Sequence, residues 1–110
     1  SQHATVSIGL DRKYRNSGYG PEAMILILHF AFSELNLVKV STHVFEENRS
    51  VVSQDIRLGF QREGVLKKET FFRGKFHDLV YLAIFKEEFY HNVLSAKLLR
   101  RLHCEVVQDD

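Results

Sequence analysis

The chain has 110 residues, enough for one small domain with a real core, and its 45% hydrophobic and 26% charged content are those of a soluble globular protein. A formal net charge of +1 argues against a broad electrostatic footprint for nucleic acid. The lone cysteine, Cys104, excludes an intrachain disulfide framework and a cysteine-rich zinc site, and the apolar run Ala23 to Phe32 is too short to span a membrane.

Ala4–Leu10 alternates in polarity and ends in Asp11-Arg12-Lys13, which predicts a strand and then a charged loop. Pro21 opens a helix that runs to about Leu35. Met24, Ile25, Leu28, Phe32 and Leu35 recur at three- and four-residue spacing, while Ile27, Phe30 and Ala31 widen the apolar face, so packing on more than one side is expected. Val38–Phe45 alternates again as a second strand. A long helix between two strands makes them parallel neighbours in one sheet. After the polar loop Glu46-Glu47-Asn48-Arg49, Ser50 to Leu58 reads as a short helix with Val51, Val52 and Ile56 inward and Gly59 as its stop. Phe60 opens a third strand, broken at Glu63-Gly64 and carried through Leu66 to Phe71. Arg73-Gly74-Lys75 is the hairpin turn, and Phe76–Phe85 is a fourth strand whose two largely apolar faces place it centrally. Glu87 to about Leu102 is expected as one amphipathic helix, with Tyr90, Leu94, Leu98 and Leu102 as its stripe and Val93 and Leu99 widening it. Val106 to Asp110 is expected to fray. The fold class is α/β: a small twisted sheet of mixed direction with covering helices.

The chemistry concentrates in Arg15-Asn16-Ser17-Gly18-Tyr19-Gly20-Pro21, a loop between a strand and a helix. Two glycines two apart let the backbone turn tightly and bring N–H groups close to a ligand. Pro21 suits the first helical position, where no N–H is needed. The helix end then offers unpaired N–H groups and a partial positive charge, an anion site suited to phosphate or pyrophosphate. An ordinary strand-to-helix turn explains the same residues. The histidines His3, His29, His43, His77, His91 and His103 form no spaced metal motif, and Glu88 with His91 lacks further ligands, so no metal is expected. No phosphate-loop lysine or G-x-S-x-G pattern occurs, and Cys104 is a poor nucleophile candidate.

Taken in order, Arg15-x-x-Gly18-x-Gly20, Asn48 before a short helix ending Leu58-Gly59-Phe60, Glu63-Gly64, the hairpin Arg73-Gly74-Lys75-Phe76-His77-Asp78 and Glu87-Glu88 form one pattern. Over Thr5 to Glu88 the chain resembles the C-terminal portion of a GNAT-superfamily N-acetyltransferase, with a partial GNAT-like acyl-CoA N-acyltransferase fold. The branch it is most similar to acts on ribosomal-protein N-termini and polyamines. The resemblance implies that residues 1–88 are a partial acetyltransferase domain and 89–110 a C-terminal helical extension. It implies acetyl-CoA as cosubstrate, its pyrophosphate held by the backbone of Arg15, Asn16, Ser17, Gly18, Tyr19 and Gly20. The strand end Ile8, Gly9 and Leu10 would pair with the pantetheine arm, an N–H near Gly9 or Leu10 would stabilise the oxyanion, and Asn48 would contact the cofactor. Arg12, Lys13, Arg15 and Arg49 are candidates for phosphate contacts, although charged loops carry such residues anyway. His77 and Asp78 could line an acceptor site, or simply build the turn. The implied reaction is transfer of acetyl to a primary amine: a protein N-terminus, a polyamine or a small amine.

Two departures qualify the pattern. The family's short helix commonly carries a Tyr seven residues after the Asn, placed to protonate the departing thiolate. Here that position is Asp55, a weak catalytic candidate expected to face solvent. No general base is assignable. A full domain of this kind also has an N-terminal portion before the cofactor strand, and here it is expected to be missing, through truncation or as a natural half-length chain. The Thr5–Leu10 edge would then be bare, and a homodimer covering it is expected. The alternative function is a truncated, non-catalytic GNAT-like half-domain that binds acetyl-CoA or mediates dimerisation. A cytoplasmic location, with no nucleic-acid or membrane partner, completes the expectation.

Overall fold

The structure, a computed structural model, describes residues 20–102 together with the backbone of residues 3–5. Its sheet has the order β1-β2-β4-β3, with β1 His3–Thr5, β2 Lys39–Phe45, β3 Gln61–Phe72 and β4 Lys75–Phe85. β1 runs parallel to β2, pairing His3, Ala4 and Thr5 with Lys39, Val40 and Ser41, and the other neighbours are antiparallel. The expected parallel pair and central fourth strand are therefore both present.

Helix α1 (Pro21–His29) starts with Pro at its first turn and buries Met24, Ile25 and Leu28. Its continuation, Phe30–Glu34, is a π-helical turn, in which Leu35 N–H donates to Phe30 O at 3.2 Å and Leu37 N–H to Ala31 O at 3.1 Å. The wider turn keeps Ala31 and Phe32 in the core and leaves Phe30 54% exposed. Leu26 is also exposed, so the expectation that this helix packs on several sides does not hold for its outer face.

Helix α2 (Arg49–Leu58) turns Val51, Val52, Asp55 and Leu58 inward, a face set by three- and four-residue spacing from Val51. Ile56 falls off that face and is 45% exposed, which corrects the expectation that its apolar character would draw it in. Gly59 ends the helix at φ 117°, and a Cβ there would sit 2.9 Å from Ile84 Cδ1, so both conformation and space call for glycine.

β3 and β4 form a long hairpin. Arg73 (φ 51°) and Gly74 (φ 81°) supply the two left-handed residues of a tight two-residue turn. One register shift in β3, between Arg62 and Gly64, matches the expected break; a second lies between Leu66 and Thr70. There Lys68 adopts φ 50° and its N–H donates to Asp78 Oδ1 at 2.7 Å.

The single C-terminal helix expected from periodicity is two helices, α3 (Lys86–His91) and α4 (Val93–Arg101), parted at Asn92. Asn92 is extended, its side chain accepts from Ser95 N–H at 2.9 Å and donates to Arg57 O at 3.2 Å, and Ser95 Oγ donates to Leu58 O at 2.8 Å. The break clips the C-terminal helices to the end of α2. Val93 consequently lies 83% exposed instead of on the apolar stripe. Phe89, Leu98 and Leu99 join Phe32, Phe60, Leu58 and Ile84 in one core on the helix side of the sheet.

Candidate functional site

The β1–α1–β2 crossover is the element that creates a site. In open α/β sheets a ligand finds its crevice beyond the carboxyl ends of parallel strands, where loops and helix N-termini gather. At that end stand Gly20, which begins α1, and Asn48, which begins α2. Ile8, Gly9, Leu10, Arg12, Lys13, Arg15, Asn16, Ser17, Gly18 and Tyr19 lie outside the described residues. Gly20 is exposed, with φ −65° and ψ 162°, and its carbonyl accepts from Met24 N–H at 3.2 Å. That backbone is open to any residue, and a Cβ there would meet only Glu22 Oε1 at 3.8 Å, so Gly20 is not required for the tight turn expected of it. No side chain caps this helix end, whose first-turn N–H groups have no acceptor within the helix.

Asn48 is 4% exposed, with φ −78° and ψ 63°; its N–H donates to Phe45 O at 2.9 Å and its carbonyl accepts from Val52 N–H at 3.1 Å. It is thereby fixed at the carboxyl end of β2. Asp55, two helical turns on, is fully buried, which corrects the expectation of a solvent-facing residue. The apolar residues at 51, 52 and 58 set the inward face, and Asp55 lies on it whatever its polarity.

A second concavity, of about 790 Å³, opens between α2 and the hairpin. Glu46, Glu47 and Arg49 come from the β2–α2 junction, Ser53 and Ile56 from α2, and Arg62, Phe76, His77 and Asp78 from the hairpin strands. His77 is its anchor. The ring is 7% exposed, stacked on Phe45 at 4.2 Å, with Nδ1 2.6 Å from Glu47 Oε2 and Nε2 3.0 Å from Phe72 O. Lys75 Nζ lies 3.6 Å from the same Glu47 oxygen. Burial pushes the Glu47 carboxyl up, but hydrogen bonds from backbone and from His77, with the charges of His77 and Lys75, outweigh it and hold the group below its ordinary value. Asp78 is likewise lowered, chiefly by the Lys68 N–H, and Lys67 stands 3.5 Å away. The sequence singled out His77, Asp78 and Arg49 separately. It missed Glu46, Glu47 and Arg62, which only strand register brings to the same place. The Arg73-Gly74 turn was the available signal, because a two-residue loop fixes Thr70 opposite His77.

Among the described residues no cluster of His, Cys, Asp and Glu could hold a metal ion, and no helix is long and apolar enough to cross a membrane.

A mixed sheet with one parallel crossover pair, an uncapped helix N-terminus beside it and a long antiparallel hairpin defines an acyl-CoA-type α/β domain. The profile of the Acetyltransferase (GNAT) domain matches residues 1–61, and the chain belongs to that family. It is 36% identical over 76 residues to the SPbeta prophage-derived uncharacterized N-acetyltransferase YokL of Bacillus subtilis, covering 69% of this chain and 43% of the relative. With the spermidine N(1)-acetyltransferase of Escherichia coli strain K12 it shares 28% identity over 88 residues, 80% of this chain and 47% of the relative. Among solved structures, the spermidine N-acetyltransferase of Vibrio cholerae in complex with CoA and spermine superposes with a TM-score of 0.63 at 28% identity, covering 71% of this chain and 46% of that one. A dodecameric structure of the same Vibrio cholerae enzyme gives 0.65 at 28% identity, covering 73% and 47%. The chain thus spans about half the length of the relatives it matches.

Proposed function

We propose that this chain carries the acetyl-CoA-binding part of an N-acetyltransferase that acts on a primary amine, with a polyamine such as spermidine or a protein N-terminus as the acceptor class. The observation that carries the reading is the coincidence of the family match over residues 1–61 with the β1–α1–β2–α2 unit, which contains the crossover and both helix starts. The loop Arg15–Gly20 and the start of α1 would hold the pyrophosphate, Ile8, Gly9 and Leu10 would pair with the pantetheine arm, and Asn48 would contact the cofactor from β2. Acetyl-CoA supplies the thioester. The protein holds a neutral amine in line with it, and proximity does much of the work. A homodimer over the Thr5–Leu10 edge and a cytoplasmic setting belong to the same reading.

Calorimetric titration with acetyl-CoA tests it, alongside the variants Gly18→Glu and Gly20→Glu. Because the protein itself leaves room for a side chain at Gly20, loss of binding in Gly20→Glu would report on the ligand's approach and not on a strained backbone. Saturable binding in the parent, lost in both variants, is the expected result; no binding at millimolar acetyl-CoA would overturn it.

A second reading, binding without turnover, is favoured by Asp55, which stands buried where the family pattern has a tyrosine. Acetyl transfer to spermidine or to an N-terminal peptide, followed by mass spectrometry, separates the two. Binding with no acetylated product would select the second.

A further inference from the structure

We propose that the tip of the β3–β4 hairpin is a self-association surface, whose partner is the same strand of a second copy of this chain. At the tip Phe71 and Phe76 are paired across the strands, their rings edge-to-face at 5.0 Å, yet they remain 62% and 59% exposed. They lie beyond the core, at the end of a molecule 49 Å long and 18 Å thick. Two contacting aromatics left in water at one place are the composition of an interface centre.

The backbone supplies the register. Phe72 and Lys75 flank the two-residue turn and so face each other as a hydrogen-bonded pair. Strand alternation then aims the N–H and C=O of Phe71 away from β4. β3 is the outer strand of the sheet, and among the described residues Phe71 has no other backbone partner. An antiparallel two-fold contact centred on Phe71 lets each Phe71 N–H donate to the other copy's Phe71 C=O. The four phenylalanines of the two tips then form one cluster.

Charge agrees with this register. Counting outward from Phe71, Glu69 of each copy falls opposite Arg73 of the other, twice by symmetry. Glu69 has no ion-pair partner among the described residues, and Arg73 lies over its own Phe72 ring at 5.1 Å. The next like-charged meeting, Lys67 against Lys75, is softened because each already faces a carboxylate, Asp78 at 3.5 Å and Glu47 at 3.6 Å. The register shift between Leu66 and Thr70, with Lys68 at φ 50°, ends the regular edge and limits pairing to the tip. The contact is short and therefore of the transient class. It lies on the opposite sheet edge from β1, so it is separate from any pairing there.

Sedimentation velocity over a concentration series tests the proposal. The chain should show reversible monomer–dimer exchange. Phe71→Asp should weaken it about tenfold or more, as loss of a central aromatic does. Glu69→Lys and Arg73→Asp should each weaken it by about two- to fivefold, and the double variant should restore association. Asp is chosen at position 73 because it tolerates a left-handed turn. All these sites are on the surface, and an unchanged far-ultraviolet dichroism spectrum verifies folding. If Phe71→Asp fails that check, the charge-swap pair carries the test alone. A parent that is monomeric throughout overturns the proposal, as does association unaltered in Phe71→Asp or unrestored in the double variant.

Discussion

His77 joins two parts of the molecule that have little else in common. One ring nitrogen meets the Glu47 carboxylate, the other the Phe72 carbonyl, and the ring face lies on Phe45. The β2–α2 junction, which holds Asn48, is thereby tied to the hairpin. The tie depends on Glu47 being ionised. Its carboxyl titrates below its ordinary value of 4.5 in the folded chain. The unfolded chain therefore takes up this proton first as pH falls, so the contribution to stability is complete above the ordinary value and is lost through the lower folded one. Thermal midpoints measured from about pH 6 to about pH 3 should fall more steeply for the parent than for Glu47→Gln, which has no such proton to take up. Parallel curves would mean that the pair contributes nothing to folding. Asp78, held down mainly by the Lys68 N–H, obeys the same sign.

Among the elements, the strands were the most legible. Alternation in Val38–Phe45, the apolar faces of Phe76–Phe85 and the Arg73-Gly74 turn lead directly to the observed pairing. The helices were legible in extent but less so in facing. Ile56 looked like a core residue by type, yet helical geometry follows Val51, Val52 and Leu58 and puts Asp55 inside. Asn92 was hidden within a strong amphipathic repeat, because its capping of Ser95 and its bond to Arg57 O join residues 35 positions apart. Asn92→Ala should cost about 1 kcal/mol as a lost helix cap. Ser95→Ala, which strands the buried Leu58 carbonyl, should cost about 1–3 kcal/mol. Gly59→Ala meets both a φ of 117° and the Ile84 side chain, and should exceed the 1 kcal/mol or so of a left-handed alanine alone. Urea unfolding with fitted midpoints checks all three; a Gly59→Ala midpoint equal to the parent's would contradict the packing at Ile84.

For the whole molecule, the helix-side core is continuous from α1 to α4, and Phe89, Leu98 and Leu99 belong to it as fully as Met24 or Phe32. Of the candidate cofactor site, only its frame is described: the parallel pair, Gly20, Asn48 and two helix starts. The loop that would contact the ligand was read from motif spacing and lies outside the described residues. Binding of acetyl-CoA to the folded chain alone would stabilise it by about 2.7 kcal/mol at a hundred times the dissociation constant. A thermal midpoint that rises with acetyl-CoA concentration in the parent, but not in Gly20→Glu, is therefore expected. An equal rise in both would place the ligand elsewhere.

The π-helical turn at Phe30–Glu34 holds one more residue than an α-helical turn does. Removing one residue there restores ordinary i-to-i−4 bonding while the segments on either side keep their facing, so the chain has a spare position in the middle of its longest helix. Deleting Ser33, whose side chain touches only the His29 carbonyl, should be tolerated. Deleting Ala23 would instead rotate Met24, Ile25 and Leu28 out of register with Gly20, and should unfold the protein. Few single-residue deletions in a packed helix are survivable; this fold carries the slack for one.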